Sequence, residues 1–160
     1  MIANLNFSTL GMVIIVCISF ATAGNLLVGN SLKNWYPTLK KPRFQIPIIW
    51  FALVGLVVYI LDAAIFYRLI AFLQNPQGKV ISITALLVVM AFNECWNIAF
   101  FRLQNTLVGF LGIIAFLAPL IILQVALFQY DSFSATLLLP YCLWVILYDL
   151  PWTYRLWKLN

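Results

Sequence analysis

No Asp, Glu, Lys or Arg occurs in residues 1–32, 44–61, 80–93, 103–130 or 132–148 of this 160-residue chain. A helix crossing the hydrocarbon of a bilayer needs roughly 20 largely apolar residues. Five such windows leave little chain for anything but membrane. The composition agrees: 65% of residues are hydrophobic and 8% charged, against about 25% charged in soluble domains. A soluble globule, a disordered chain, a fibrous repeat and a disulfide framework are all excluded.

Hydropathy and turn residues predict an all-α, polytopic membrane protein, a bundle of five transmembrane helices forming a single domain over residues 1–160. The spans fall at about 5–28, 46–73, 80–101, 106–128 and 136–157, with a long first loop at 29–45. The later connections, 74–79, 102–105 and 129–135, are short, so consecutive helices should be antiparallel neighbours. The first apolar run is too long for a signal-peptide core, and its first positive side chain, Lys33, lies behind it, so it is expected to be a retained span. Cys17, Cys95 and Cys142 are odd in number and far apart, which predicts buried neutral thiols without a metal site.

Lys33, Lys40, Lys41, Arg43, Arg102, Arg155 and Lys158 cluster at one membrane face, while Arg68 and Lys79 mark the other. Positive residues favour the cytoplasmic side. The first loop and C-terminus are therefore expected to be cytoplasmic and the N-terminus on the opposite side. The net charge of +5 follows from this topology and from anionic headgroups; it does not point to nucleic acid, because the basic residues flank spans.

The chain has no His, no Gly-rich phosphate loop and no nucleophile elbow, so ordinary acid–base, haem-ligating or phosphoryl-transfer chemistry has no visible residues. Asp62, Glu94 and Asp149 fall in or near spans, where an ionisable group usually faces the bundle interior or a cavity. Glu94 is nearest mid-span. It can be read as functional, or as a neutral acid bonded between helices or paired with an Arg.

In the third span Asn93, Trp96, Asn97 and Phe100 recur at i, i+3, i+4 and i+7, one helical face that is polar and aromatic together. Such a stripe suits a planar ligand, and also an interhelical seam. The fifth span repeats the pattern with Tyr141, Trp144 and Tyr148. Pro151 is expected to kink or end that helix, leaving Trp152, Tyr154 and Trp157 at headgroup level. The first loop carries Trp35, Tyr36, Lys40, Lys41 and Arg43 among three prolines. It reads either as a cationic lid over the open end of the bundle or as an anchored basic loop. Gly109, Gly112 and Ala115 offer small surfaces on the fourth span.

These residues resemble the translocator protein family, also called tryptophan-rich sensory proteins or peripheral-type benzodiazepine receptors. Its first-loop pattern Trp-Tyr-x-x-Leu-x-Lys-Pro is matched by Trp35, Tyr36, Leu39, Lys41 and Pro42. Its third-helix pattern Asn-x-x-Trp-x-x-x-Phe-Phe is matched by Asn93, Trp96, Phe100 and Phe101, and its fifth-helix Pro-Tyr-x-x-Trp by Pro140, Tyr141 and Trp144. The resemblance implies a homodimeric five-helix membrane protein. It implies binding of a tetrapyrrole (porphyrin, haem or bilin) and possible sterol binding, with a regulatory or transport-linked role and no required cofactor. The ligand would lie beneath the first loop, among residues matching Asn93, Trp96 and Trp144, with Tyr59 on the second helix. Where the family has a Trp four residues before that Tyr, this chain has Gly55, and Trp50 lies on another face. Light-dependent porphyrin degradation, linked to that Trp, is therefore not expected, so the chain reads as a binder and not an enzyme; a passive tetrapyrrole transporter is the other alternative.

Overall fold

The structure, a computed structural model, describes residues 6–160. Its regular structure over these residues is all helix, and five helical segments are long and apolar enough to cross a membrane: Phe7–Val28, Ile48–Ala71, Pro76–Arg102, Thr106–Tyr130 and Ser132–Leu159. The expected spans are thus found. The start of the first, at residue 5, lies outside the described residues.

The helices are α1 (Phe7–Val28), a single turn α2 (Ser31–Asn34), α3 (Ile48–Ala71), α4 (Pro76–Asn97), α5 (Thr106–Tyr130), α6 (Ser132–Trp144) and α7 (Leu150–Leu159). Asparagine starts three of the spans. Its side-chain carbonyl accepts the otherwise unpaired amides of the first turn: Asn6 from Thr9, Asn75 from Gly78, and Asn105 from Leu107 and Val108. Because Asn75 caps and Pro76 occupies the first turn, α4 begins earlier than the charge of Lys79 indicates. Gly29, at φ 52°, ends α1 in a conformation that disfavours other residues.

The seven-residue loop expected at 129–135 is a single residue, Asp131, between α5 and α6. Its carboxylate receives the Ser134 hydroxyl at 2.6 Å and both the Nε and Nη2 donors of Arg68, at 3.2 and 3.0 Å. This satisfies a tight corner. The ring of Phe133 lies 4.3 Å beneath the same guanidinium.

Two spans contain a widened π turn, Ile98–Arg102 after α4 and Val145–Asp149 between α6 and α7. The second accommodates Pro151, which sits in the first turn of α7, where its missing amide costs no helical hydrogen bond. The helix therefore continues through Pro151 instead of ending there. Trp152 is buried inside the bundle, 2% exposed. Tyr154 and Trp157 pack with Phe110 at the outer end of the span.

α1 packs on α3 and α4, α4 on α5, α5 on α6 and α7, and α6 on α3. The five spans thus close a ring in the order first, second, fifth, fourth, third. Large apolar side chains such as Ile15, Ile60, Ile122 and Leu147 point outward, which only a lipid solvent favours. Cys17 and Cys142 are buried as expected, but Cys95 is exposed. Cys95 adjoins Glu94, whose side chain is turned inward, and successive helical residues point about 100° apart, so it is directed outward. Gly109 and Gly112 do not offer an outer surface either. A methyl group on Gly109 would stand 2.4 Å from the Phe100 ring, and one on Gly112 would stand 3.1 Å from Trp96. The small face of α5 exists to admit α4.

Candidate ligand cavity

The ring encloses a cavity of about 480 Å³ in the half of the bundle nearest the first loop. Each span contributes to its wall: Ala21, Gly24, Asn25 and Val28 from the first; Phe51, Ala52, Gly55 and Tyr59 from the second; Asn93, Glu94, Trp96, Asn97 and Phe101 from the third; Ile113 and Phe116 from the fourth; and Tyr141, Trp144, Asp149 and Trp152 from the fifth. Tyr36 and Leu32 close it from the loop side.

Of the residues expected from sequence to bind a ligand, Tyr36, Tyr59, Asn93, Trp96, Asn97, Tyr141 and Trp144 line this cavity. Phe100 and Tyr148 do not. Both fall in π turns, where one extra residue per turn shifts the inward-facing position from i+7 to i+8. Counting from Asn93, i+8 is Phe101; counting from Tyr141, i+8 is Asp149; both line the cavity. Phe100 instead lies behind the wall, parallel to Trp96 at 5.1 Å and edge-on to Trp35 at 5.2 Å. Tyr148 stacks on Trp144 at 4.6 Å, and its hydroxyl accepts the Ile46 amide at 3.1 Å. Phe51 and Trp152 were not foreseen. They meet at 5.0 Å and extend the aromatic wall toward the loop.

The loop is anchored over the cavity. The Trp152 indole donates to Gln45 Oε1 at 2.6 Å, and Asn160 exchanges two hydrogen bonds with the Lys40 backbone. Trp35 supports the wall from behind without lining it. Lys41 lies with its Nζ 4.8 Å over the Tyr36 ring and lines a second recess of about 460 Å³ with Leu32, Tyr36, Gln45 and Ile48. Leu32, Tyr36 and Ile48 line both spaces, so the recess adjoins the cavity. Lys40 and Arg43 are exposed and line neither, because the prolines turn them outward while Tyr36 turns in. The Tyr36 hydroxyl, at this junction, is buried with no hydrogen-bond partner. Its burial pushes its pKa up to about 12.

The cavity floor is polar. Glu94 Oε1 accepts the Tyr59 hydroxyl and, at 3.2 Å, the Asn93 amide, while Oε2 accepts the Asn97 amide at 2.9 Å. Tyr141 donates to Asn93 Oδ1 at 3.2 Å, which fixes the amide so that its NH₂ faces Glu94. The Trp96 indole donates to the Gly109 carbonyl at 2.9 Å, locking the ring plane against α5. Gly24 makes room for the carboxylate: a methyl group there would stand 1.8 Å from Oε2. Asp62, 3% exposed, has an Oδ1 without a partner and does not line the cavity. The reading of Glu94 as paired with an Arg does not hold, since among the described residues the ion pair is Arg68–Asp131.

Fold and cavity together define a multi-pass integral membrane protein with an aromatic cavity inside its helical bundle, under its first loop. The TspO/MBR family model matches residues 12–156, and the chain belongs to this family. It is similar to the tryptophan-rich protein TspO of Archaeoglobus fulgidus, with 31% identity over 137 residues, 83% of this chain and 85% of the relative. The tryptophan-rich protein TspO of Chlorobaculum tepidum is 22% identical over 89% of this chain and 90% of its own length. Protein CrtK of Rhodobacter capsulatus is 25% identical over 79% and 78%.

Proposed function

We propose that the chamber binds a tetrapyrrole, and that the protein acts as a membrane receptor or carrier for it and not as an enzyme. The observation that carries this reading is the aromatic cavity of about 480 Å³, within the range of small-molecule sites, joined at the buried, unpartnered Tyr36 hydroxyl to a recess holding Lys41. A flat conjugated body fits between Trp96, Trp144 and Phe51, and acidic substituents reach Tyr36 and Lys41. No histidine exists to ligate a metal, so haem would be held by stacking and by its propionates. A sterol could share the apolar walls. Gly55 leaves the cavity without an indole at that position, which favours binding over photochemical breakdown. In this reading the first loop and C-terminus are cytoplasmic, and the protein is a homodimer.

The test is a tryptophan-quenching titration of the detergent-purified protein with protoporphyrin IX, haem, a bilin and cholesterol, followed by illumination of the complex. Saturable tetrapyrrole binding is expected, weakened about three- to ten-fold by Trp144→Ala or Trp96→Ala through loss of stacking, with the bound pigment persisting in light. Wild-type affinity in both folded variants removes the cavity from consideration, and light-driven loss of pigment would favour the enzyme.

A further inference from the structure

The charges on the cavity wall have one sign. Glu94 and Asp149 line it, and no Lys or Arg does. Glu94 is 6% exposed, and the groups around its two oxygens act as donors: the Tyr59 hydroxyl and the amides of Asn93 and Asn97. Gly24 leaves the space that this carboxyl group fills. A carboxyl group held by three donors but without a cationic partner, in a cavity also lined by Trp96 and Trp144, is complementary to an organic cation. Aromatic faces attract the cation through the ring quadrupole, and the carboxylate accepts its N–H.

We propose that the inner end of this cavity recognises a protonated nitrogen, with Glu94 as its counter-ion. Two sources share this chemistry: an aryl-alkyl amine, and an open-chain tetrapyrrole protonated at a ring nitrogen. A closed porphyrin does not, since its N–H groups point into its own ring, out of reach of a side chain at its edge. The inference rests on the cavity proposed above, but not on its occupant being a tetrapyrrole. For an open-chain tetrapyrrole the two ends of the site divide the work: Lys41 and Tyr36 face the acidic substituents, and Glu94 faces the protonated nitrogen.

The test uses the full chain in a zwitterionic detergent. One arm compares 4-phenylbutylamine with the neutral 4-phenylbutanol, and the other compares biliverdin with protoporphyrin IX, for wild type and Glu94→Gln. The wild-type protein is expected to bind the amine about ten-fold tighter than the alcohol, or to hold biliverdin with the red-shifted long-wavelength band of its N-protonated form at neutral pH. The arm that responds identifies the source. Folded Glu94→Gln should lose the response. If it keeps it, the assignment to Glu94 is overturned; since the amine–alcohol comparison needs only wild type, a variant that fails to fold leaves the test intact. Equal affinity for amine and alcohol, together with no protonated biliverdin band, overturns the inference. Protoporphyrin bound in that case leaves the tetrapyrrole reading standing. Amine selectivity without any tetrapyrrole bound does the reverse.

Discussion

At the scale of single residues, the site depends as much on what is missing as on what is present. Glu94 can lie against the first span only because position 24 has no side chain, and Phe100 can stack on Trp96 only because position 109 has none. Gly24→Ala would place a methyl group 1.8 Å from Glu94 Oε2. The carboxylate would then have to leave the Asn97 amide or push α1 away. Overpacking of this kind costs about 1–3 kcal/mol, with the lost hydrogen bond from the Asn97 amide added to it. Thermal unfolding in detergent should show Gly24→Ala melting well below wild type. Gly11, where an added methyl group meets nothing within 4 Å, provides the control: Gly11→Ala should leave the melting temperature unchanged or raise it, since alanine favours helix. Equal melting of Gly24→Ala and wild type would mean that the carboxylate does not occupy this floor.

At the scale of elements, the spans were legible because a bilayer dictates both their length and their polarity, and charge-free windows report both. Their inward faces were legible as far as a regular 3.6-residue period extends. Asn93, Trp96 and Asn97, and likewise Tyr141 and Trp144, fall on the cavity wall as spacing indicates. Past Asn97 and Trp144 the π turns advance the register by one residue. No residue type announces a π turn, so Phe100 and Tyr148 were placed on the wall while Phe101 and Asp149 occupy it. The loop expected at 129–135 shrinks to one residue for a related reason. A polar stretch at a helix end reads as loop, yet Asp131, Ser134 and Arg68 satisfy one another and let the two helices meet at a single residue. This corner titrates. Partial burial alone would raise the Asp131 pKa, but the Arg68 guanidinium and the Ser134 hydroxyl outweigh it and hold the carboxyl below its ordinary value. A carboxyl whose folded pKa is depressed adds stability that is present above the unfolded value, about 3.9, and lost as pH falls through the folded one. The melting temperature of wild type should therefore drop on acidification below about pH 4. Arg68→Gln should lower stability at neutral pH by about 1 kcal/mol and reduce that acid-dependent drop. An unchanged acid limb in Arg68→Gln would show that the pair does not hold this corner.

At the scale of the whole molecule, the order of the ring gives the cavity its character. With the second span between the first and the fifth, Gly55 on α3 faces across the chamber toward the walls built by the other spans, and nothing lies within 4 Å of where its side chain would start. The chamber is therefore wide on this side, and the first loop, tied down through Gln45, Ile46 and Lys40, covers it without filling it. Gly55→Trp tests whether that space belongs to the ligand or to the fold. An indole starting from position 55 enters open volume, so packing predicts no loss of stability, and replacing a helical glycine adds a few tenths of a kcal/mol or more in its favour. For a bound tetrapyrrole the same indole either takes the place of part of the macrocycle or becomes an additional stacking face. In either case affinity or the spectrum of the bound pigment must change while the melting temperature holds or rises. If melting and pigment binding are both as in wild type, the ligand does not reach the second span. If the variant unfolds, the volume beside Gly55 is not open, and the chamber is narrower than its wall residues describe.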